Sequence, residues 1–207
     1  MGGPSAALSD VEKANALGHV DMAFAISGGE LPRDHSLALW QALANAAPWI
    51  VEDDAVAVLP IRASSAGGDR LVVHRRSRLL MRLPEERVEA ALALSGRRLD
   101  LAGAPVTLGE AKTRTLIAHA TLYAHRVAAE RDDEEGFVAQ AKRELERLGV
   151  RNDFIVGRRS MTRGPGGPLA GYSLMLAELP ARQSLVLQVA GIGAHRGLGF
   201  GIFVGHR

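Results

Sequence analysis

The chain has 207 residues, 47% of them hydrophobic and 23% charged, with a formal net charge of +2. Cysteine is absent, which excludes disulfides, thiolate metal sites and a thiol nucleophile. Aromatic residues make up only 4%, so the core must rest on Leu, Val, Ala and Ile, and no apolar run approaches the roughly 20 residues a membrane-spanning helix needs.

The N-terminal stretch lacks the apolar core of a signal peptide, so a cytoplasmic protein with no membrane partner is expected. The small net charge does not mark a nucleic-acid binder, but the arginines cluster. Arg75, Arg76, Arg78 and Arg82 form one group; Arg151, Arg158, Arg159 and Arg163 form another. Arginine suits bidentate contact with phosphate. The same clusters also fit a solvated surface on a protein that uses Arg in place of Lys.

In chain order, residues 1–19 read as an appendage, with Ser9-Asp-Val-Glu12 as a capping box. Val20–Ser27 alternates and predicts a strand, broken by Gly28 and Gly29. In Leu31-Pro-Arg-Asp-His-Ser-Leu-Ala-Leu-Trp, Asp34 is the expected N-cap and His35 falls in the first helical turn. Leu37, Trp40, Leu43 and Ala44 make the apolar stripe of that helix, with His35 off its centre. Ala55–Arg62 predicts a second strand and 64–69 a turn. Arg70–Leu83 predicts a third strand with a basic face of His74, Arg76, Arg78 and Arg82. Pro84 opens a helix that Gly96 closes, and Leu99–Leu101 and Val106–Leu108 follow as short strands.

The order then repeats. Thr113–Ala129 is extended, and Glu134–Leu148 is an amphipathic helix with acids early and Lys142, Arg143 and Arg147 late. Val150–Val156 and Leu169–Ala177 pair across a Gly-Pro loop at 164–168. Pro180–Ala190 is the second helix and Phe200–Val204 the closing strand. The expected fold is α+β: two tandem ferredoxin-like (βαββαβ) units, 20–109 and 110–207, with a C-terminal glycine-rich loop.

That loop holds five glycines in eleven residues, Gly191, Gly193, Gly197, Gly199 and Gly201, around His195 and Arg196. Its amides could cradle an anion, or it could be a tight turn. It lacks the Gly-Lys-Ser/Thr of a Walker loop. It also leaves no room for the βαβ unit that follows a dinucleotide fingerprint.

The tandem architecture, the glycine-rich loop after the last helix and the closing strand resemble the RAMP superfamily of CRISPR-associated proteins. Within it the chain resembles the endoribonucleases that process precursor CRISPR RNA, most of all the MYXAN-subtype branch. Val20-Asp-Met-Ala-Phe-Ala-Ile, Leu31-Pro-Arg-Asp-His-Ser-Leu-Ala-Leu-Trp, Arg76-Ser-Arg-Leu-Leu-Met-Arg-Leu-Pro and Ser184-Leu-Val-Leu-Gln-Val-Ala-Gly-Ile-Gly-Ala-His-Arg-Gly-Leu-Gly-Phe-Gly carry the likeness. It implies metal-independent cleavage of CRISPR repeat RNA, in which the 2′-OH attacks the adjacent phosphate and leaves a 2′,3′-cyclic phosphate. It also implies that the mature crRNA stays bound by its 3′ hairpin within a complex of other CRISPR effector subunits.

This chemistry needs a group titrating near neutrality and a cation for the developing charge. Of seven histidines, His35 is the expected catalytic base, at the helix start where the family often carries its histidine. Tyr123 and His195 are candidate partners. His119 and His125 alternate along a strand and face either RNA or the cleft between the units. For RNA binding the candidates are Arg75, Arg76, Arg78, Arg158, Arg159, Arg163, Gly191, Gly193, His195, Arg196, Gly197 and Gly199. No carboxylate cluster supports a metal site, and no cofactor is expected. A catalytically inactive RNA-binding subunit is the alternative. A metabolite-binding or scaffold protein is the third reading.

Overall fold

Alternation from Val20 onward builds β1 (His19–Gly28), which buries Val20, Met22, Phe24 and Ile26 on one face and turns Asp21, Ala23 and Ala25 to the other. The structure is a computed structural model that describes residues 18–206; the capping box at Ser9–Glu12 lies outside them. After β1 come β2 (Glu30–Pro32), α1 (Ser36–Ala46), the single turn α2 (Trp49–Glu52) and β3 (Ala57–Leu59). Next are β4 (Ser64–Gly67), β5 (Arg70–Val72), β6 (Arg78–Pro84), α3 (Val88–Leu92), β7 (Arg98–Asp100) and β8 (Pro105–Thr115). The first large sheet has the order β3-β6-β1-β8-β7 with antiparallel pairings. Its core joins Leu39 and Leu43 of α1 and Ala91 of α3 to the buried face of β1 and β6.

The second sheet repeats this order. It uses β9 (Leu122–Ala128), α4 (Glu134–Arg147), β10 (Phe154–Gly164), β11 (Gly167–Leu176), α5 (Ala181–Ala190) and β12 (Phe203–Gly205), arranged β10-β11-β9-β12. In both sheets the first strand of the unit lies between the third and the fourth, as the ferredoxin-like order requires. Asp133 caps α4 by accepting from Gly136 N at 2.6 Å, and Phe137, Ala141 and Leu145 of α4 pack into a core with Leu174, Leu187 and Phe203.

Several elements differ from the sequence reading. The long third strand breaks at 73–77, where Ser77 N bonds His74 O at 2.7 Å. Arg75 and Arg76 therefore sit in a turn rather than on a strand face. The predicted turn at 64–69 contains β4, which pairs with β5; β5 also pairs with β2, giving a small third sheet of order β2-β5-β4. β4 is exposed throughout, so it shows no apolar period to read. The long extended stretch from Thr113 is two strands: β8 ends at Thr115 and β9 begins at Leu122.

The first sheet therefore runs past Gly109, where the sequence placed the unit boundary. Gly109 instead marks an irregularity inside β8. The register with β1 shifts between Phe24 and Ile26, and a Cβ at Gly109 would stand 3.4 Å from Ala25 Cβ. That distance is ordinary van der Waals contact, so the register shift of the bulge, not crowding, marks the position.

The two halves are held together by polar as well as apolar contacts. Arg82, expected on an exposed basic face, is 1% exposed. Its guanidinium pairs with both oxygens of Asp21, at 2.7 and 3.0 Å, and donates at 2.8 Å to the carbonyls of Gln188 and Phe203. It thus joins β6 to the end of α5 and to β12. α1 carries two apolar faces rather than one stripe. Leu39 and Leu43 enter the first core, while Leu37 and Trp40 pack with Leu169, Leu198 and Phe200 of the second half.

Candidate functional site

The Leu-Pro-Arg-Asp-His segment leads from β2 into α1 and forms one wall of a cleft between the halves. Asp34 does not cap the helix; His35 occupies that position and makes no capping hydrogen bond. The Asp34 carboxylate reaches across to β10, accepting from Thr162 Oγ1 at 2.7 Å and from Arg163 N at 2.9 Å. Arg126 on β9 completes the network, donating to Thr162 Oγ1 at 2.6 Å and to Ser36 Oγ at 3.2 Å. Its guanidinium also lies 5.1 Å above the Phe200 ring. Burial lowers its pKa, opposed by the charge of Asp34.

His35 is buried rather than off the apolar stripe. Its Nδ1 lies 2.9 Å from Pro32 O, and its Nε2 accepts from the Ile61 N–H at 2.9 Å. The carbonyl can only accept, so the proton is on Nδ1 and the lone pair on Nε2. Burial lowers its pKa, partly offset by the bond to Pro32. The ring is therefore neutral near pH 7, the protonation state a base needs, but its one lone pair is held by the Ile61 amide.

The cleft has a volume of about 280 Å³ and is walled by His35, Pro60, Arg62, His125, Arg126 and Gly199 among others. Arg62 reaches His125 Nε2 with its guanidinium. Tyr123 lies edge-on to His125, ring centroids 4.9 Å apart, and is flanked by His206 at 5.6 Å. Burial lowers the His125 pKa, and the neighbouring positive charges of Arg62, Arg126 and His206 lower it further. Arg62 and Arg126 escaped the sequence reading. Arg126 sits where β9 and β11 lose register between Tyr172 and Leu174, so strand alternation does not give its direction.

His195 does not join this cleft. It lines a separate cavity of about 380 Å³ with Trp40, Asp53, Asp54 and Arg196. Its backbone is left-handed at φ 66°. His119 packs over Gly205 instead of facing the cleft.

The glycine loop serves packing more than it offers amides. The Gly191 N–H bonds Leu187 O at 2.9 Å, that of Gly199 bonds Arg196 O at 3.1 Å, and that of Gly193 donates to the Glu144 carboxylate at 2.6 Å. These three do not present free N–H groups to a phosphate. A Cβ on Gly197 would stand 2.5 Å from the Trp40 ring, so this glycine lets the loop lie flat on α1. Arg196 turns inward: its Nε and Nη2 are buried without a hydrogen-bond partner among the described residues. Burial and the nearby Arg82 push its pKa down to about 10.

The basic surfaces are separate from the loop. Arg76, Arg78 and Arg62 line a groove of about 500 Å³ on the open face of the first sheet, together with Lys112 and Arg114. Arg75 is exposed nearby, and its carbonyl accepts from Arg78 Nη1 at 2.8 Å. On β10, Arg158, Arg159 and Arg163 are exposed, with Arg159 paired to Asp132. Among the described residues, no three His, Asp or Glu side chains converge as metal ligands, and no helix is long and apolar enough to cross a membrane.

Two ferredoxin-like units closed by a glycine loop, with histidines and guanidiniums in the cleft between them, define a tandem ferredoxin-like protein with a basic inter-unit site. A family model described as "Cas6 Crispr" matches residues 20–207. The CRISPR-associated endonuclease Cas6 of Myxococcus xanthus (strain DK1622) is 35% identical over 191 residues, covering 92% of this chain and 83% of that protein. This chain belongs to the Cas6 family. Among solved structures, one titled "CRISPR associated protein Cas6" superposes with a TM-score of 0.61 at 11% identity, covering 91% of this chain and 99% of the other. Thermus thermophilus Cse3, "bound to an RNA representing a pre-cleavage complex", gives a TM-score of 0.51 at 15% identity, covering 90% and 98%. At these identities the structures establish the shared fold.

Proposed function

We propose that this chain is an endoribonuclease that cuts CRISPR repeat RNA in the cleft between its two units. The attacking group is the 2′-OH beside the scissile phosphate, and the product is a 2′,3′-cyclic phosphate. The observation that carries this reading is the cleft, which places two histidines of lowered pKa beside Arg62 and Arg126. Neutral imidazole suits proton abstraction, and fixed guanidiniums suit the extra charge of the phosphorane. No metal is needed for such a step. The family relation supports the substrate: the Myxococcus relative is described as a CRISPR-associated endonuclease.

His35 is the proposed base. The ribose must displace the Ile61 amide from Nε2, so loading of RNA shifts the Pro60–Ile61 segment. Catalytic hydrogen bonds often form only in the substrate complex. Tyr123 supports the cleft through His125, and His195 and Arg196 belong to the neighbouring cavity, where a flanking phosphate would meet them. The open face of the first sheet carries single-stranded RNA past Arg75, Arg76 and Arg78. The Arg158, Arg159 and Arg163 edge follows a stem by its phosphates. The cut crRNA stays on the protein by that stem, as a subunit of a larger CRISPR effector assembly.

A second reading is favoured by one specific observation. Both ring nitrogens of His35 are occupied by backbone groups, which suits an RNA-binding subunit that does not cut. The experiment is cleavage of the cognate repeat RNA in EDTA, with a 2′-deoxy substrate and His35→Ala protein in parallel. A single cut, lost with 2′-deoxy and strongly slowed by His35→Ala, is the result expected. Tight binding with no cut in any lane gives the second reading.

A further inference from the structure

We propose that His125 is a second catalytic residue of the cleft, the general acid that protonates the departing 5′ oxygen once the scissile phosphate draws Arg62 off its ring. This deepens the cleavage reading above and rests on it.

The first support is placement. His125 and His35 belong to different units, yet both wall the same cleft. An in-line displacement needs a proton acceptor at the 2′ oxygen and a proton donor at the 5′ oxygen, on opposite sides of the phosphorus. A cleft with one histidine on each unit offers one candidate for each role. The second support is the state of the two rings. His35 is buried, with its tautomer fixed by Pro32 O. His125 is exposed, and only a side chain occupies its Nε2.

The third support is that side chain. A guanidinium has donors and no lone pair, so the Arg62 contact leaves His125 Nε2 as acceptor and the proton on Nδ1. The charges acting on the ring come from Arg62, Arg126 and His206, all cationic when charged, while Tyr123 holds its edge. Together with the partial burial of the ring in the cleft wall, which is the larger cause, they keep it neutral in the free protein. Arg62 is exposed and also lines the basic groove on the first sheet, so an incoming phosphate meets it first. Phosphate neutralises Arg62, vacates Nε2 and adds a negative charge beside the imidazole. Each effect favours protonation of His125.

The step then balances. The 2′-OH gives its proton to His35 Nε2, and the 2′ oxygen bonds to phosphorus. The bond from phosphorus to the 5′ oxygen breaks, its electron pair going to that oxygen. The oxygen takes the Nε2 proton of His125 and leaves as a 5′-OH. Water then returns one proton to His125 and removes one from His35.

The test uses the full chain and two forms of the cognate repeat RNA: the natural one, and one with a bridging sulfur in place of the scissile 5′ oxygen. A thiolate leaves without protonation. Under single-turnover conditions, His125→Gln is expected to slow the oxygen substrate on the order of 10²-fold and to cut the sulfur substrate within a few-fold of wild type. Cutting of the sulfur substrate also reports an intact cleft, and His125→Asn serves as the second variant. His35→Gln is expected to be slow on both. If His125→Gln and His125→Asn are as slow on sulfur as on oxygen, or as fast as wild type on oxygen, the inference is overturned and the cleavage reading stands. If the wild-type chain cuts neither substrate, both fall together.

Discussion

The Asp34 carboxylate and the Thr162 hydroxyl meet at 2.7 Å across 128 residues of sequence. This contact fastens the β10–β11 hairpin to the segment that carries His35. Asp34→Ala removes it together with the bond to the Arg163 amide, and leaves Arg126 without its nearby negative charge. A loss of about 1.5–3 kcal/mol of stability is expected for hydrogen bonds to a charged group, read as a lower urea midpoint at unchanged slope. Asp34→Asn, which keeps one acceptor, should lose less.

Gly197 and Trp40 are equally specific partners. Gly197→Ala sets a methyl 2.5 Å from the indole, an overpacking that costs about 1–3 kcal/mol. Trp40→Leu in the same chain should recover part of that loss, because the two residues share one contact. Thermal melts of the single and double variants check this; strict additivity would show that the loop does not rest on Trp40.

His35 gives the fold a pH dependence. Its pKa is lowered in the folded chain, so its contribution is fully present above the unfolded value, about 6.5. It is lost as pH falls through that value toward the folded one, because the unfolded chain then binds the proton first. His125 is lowered in the same direction. Urea unfolding at pH 7.5 and 5.5 should show a loss at the lower pH, and His35→Gln should shrink the difference between the two.

Arg62 and His125 supply a titration of known sign. Arg62 lowers the His125 pKa by its charge, so Arg62→Ala should raise the midpoint seen in the His125 ring proton resonances. A midpoint that stays put or falls would mean that Arg62 does not govern the ring.

Much of this was legible in the sequence, for identifiable reasons. β1 and α4 declare themselves by alternation and by helical period with early acids and late bases, and the β10–β11 turn by its glycines and proline, although β10 runs from Phe154 to Gly164, well past the expected strand end at Val156. The glycine loop and the Pro-x-Asp-His start also stand out. What was hidden depends on partners far along the chain. Nothing near Arg82 says that Asp21 and two carbonyls beyond residue 187 will enclose it. Asp34 looks like a helix cap until Thr162 claims it. Register shifts beside Gly109 and Arg126 break the period-two rule on which strand faces are assigned. His35 reads as a free imidazole because backbone donors and acceptors leave no trace in side-chain spelling.

The enclosure of Arg82 also sets an order of assembly. Two of its acceptors, the carbonyls of Gln188 and Phe203, lie 106 and 121 residues further along the chain and are synthesised well after it. While the chain is still growing, the first sheet carries a cation in its wall with only Asp21 to meet it. Water must stay at that wall until α5 and β12 arrive and seal it. The two units are duplicates in topology, but maturation is a joint event: the first is finished by Gln188 and Phe203 of the second, and a chain that lacks α5 and β12 completes neither.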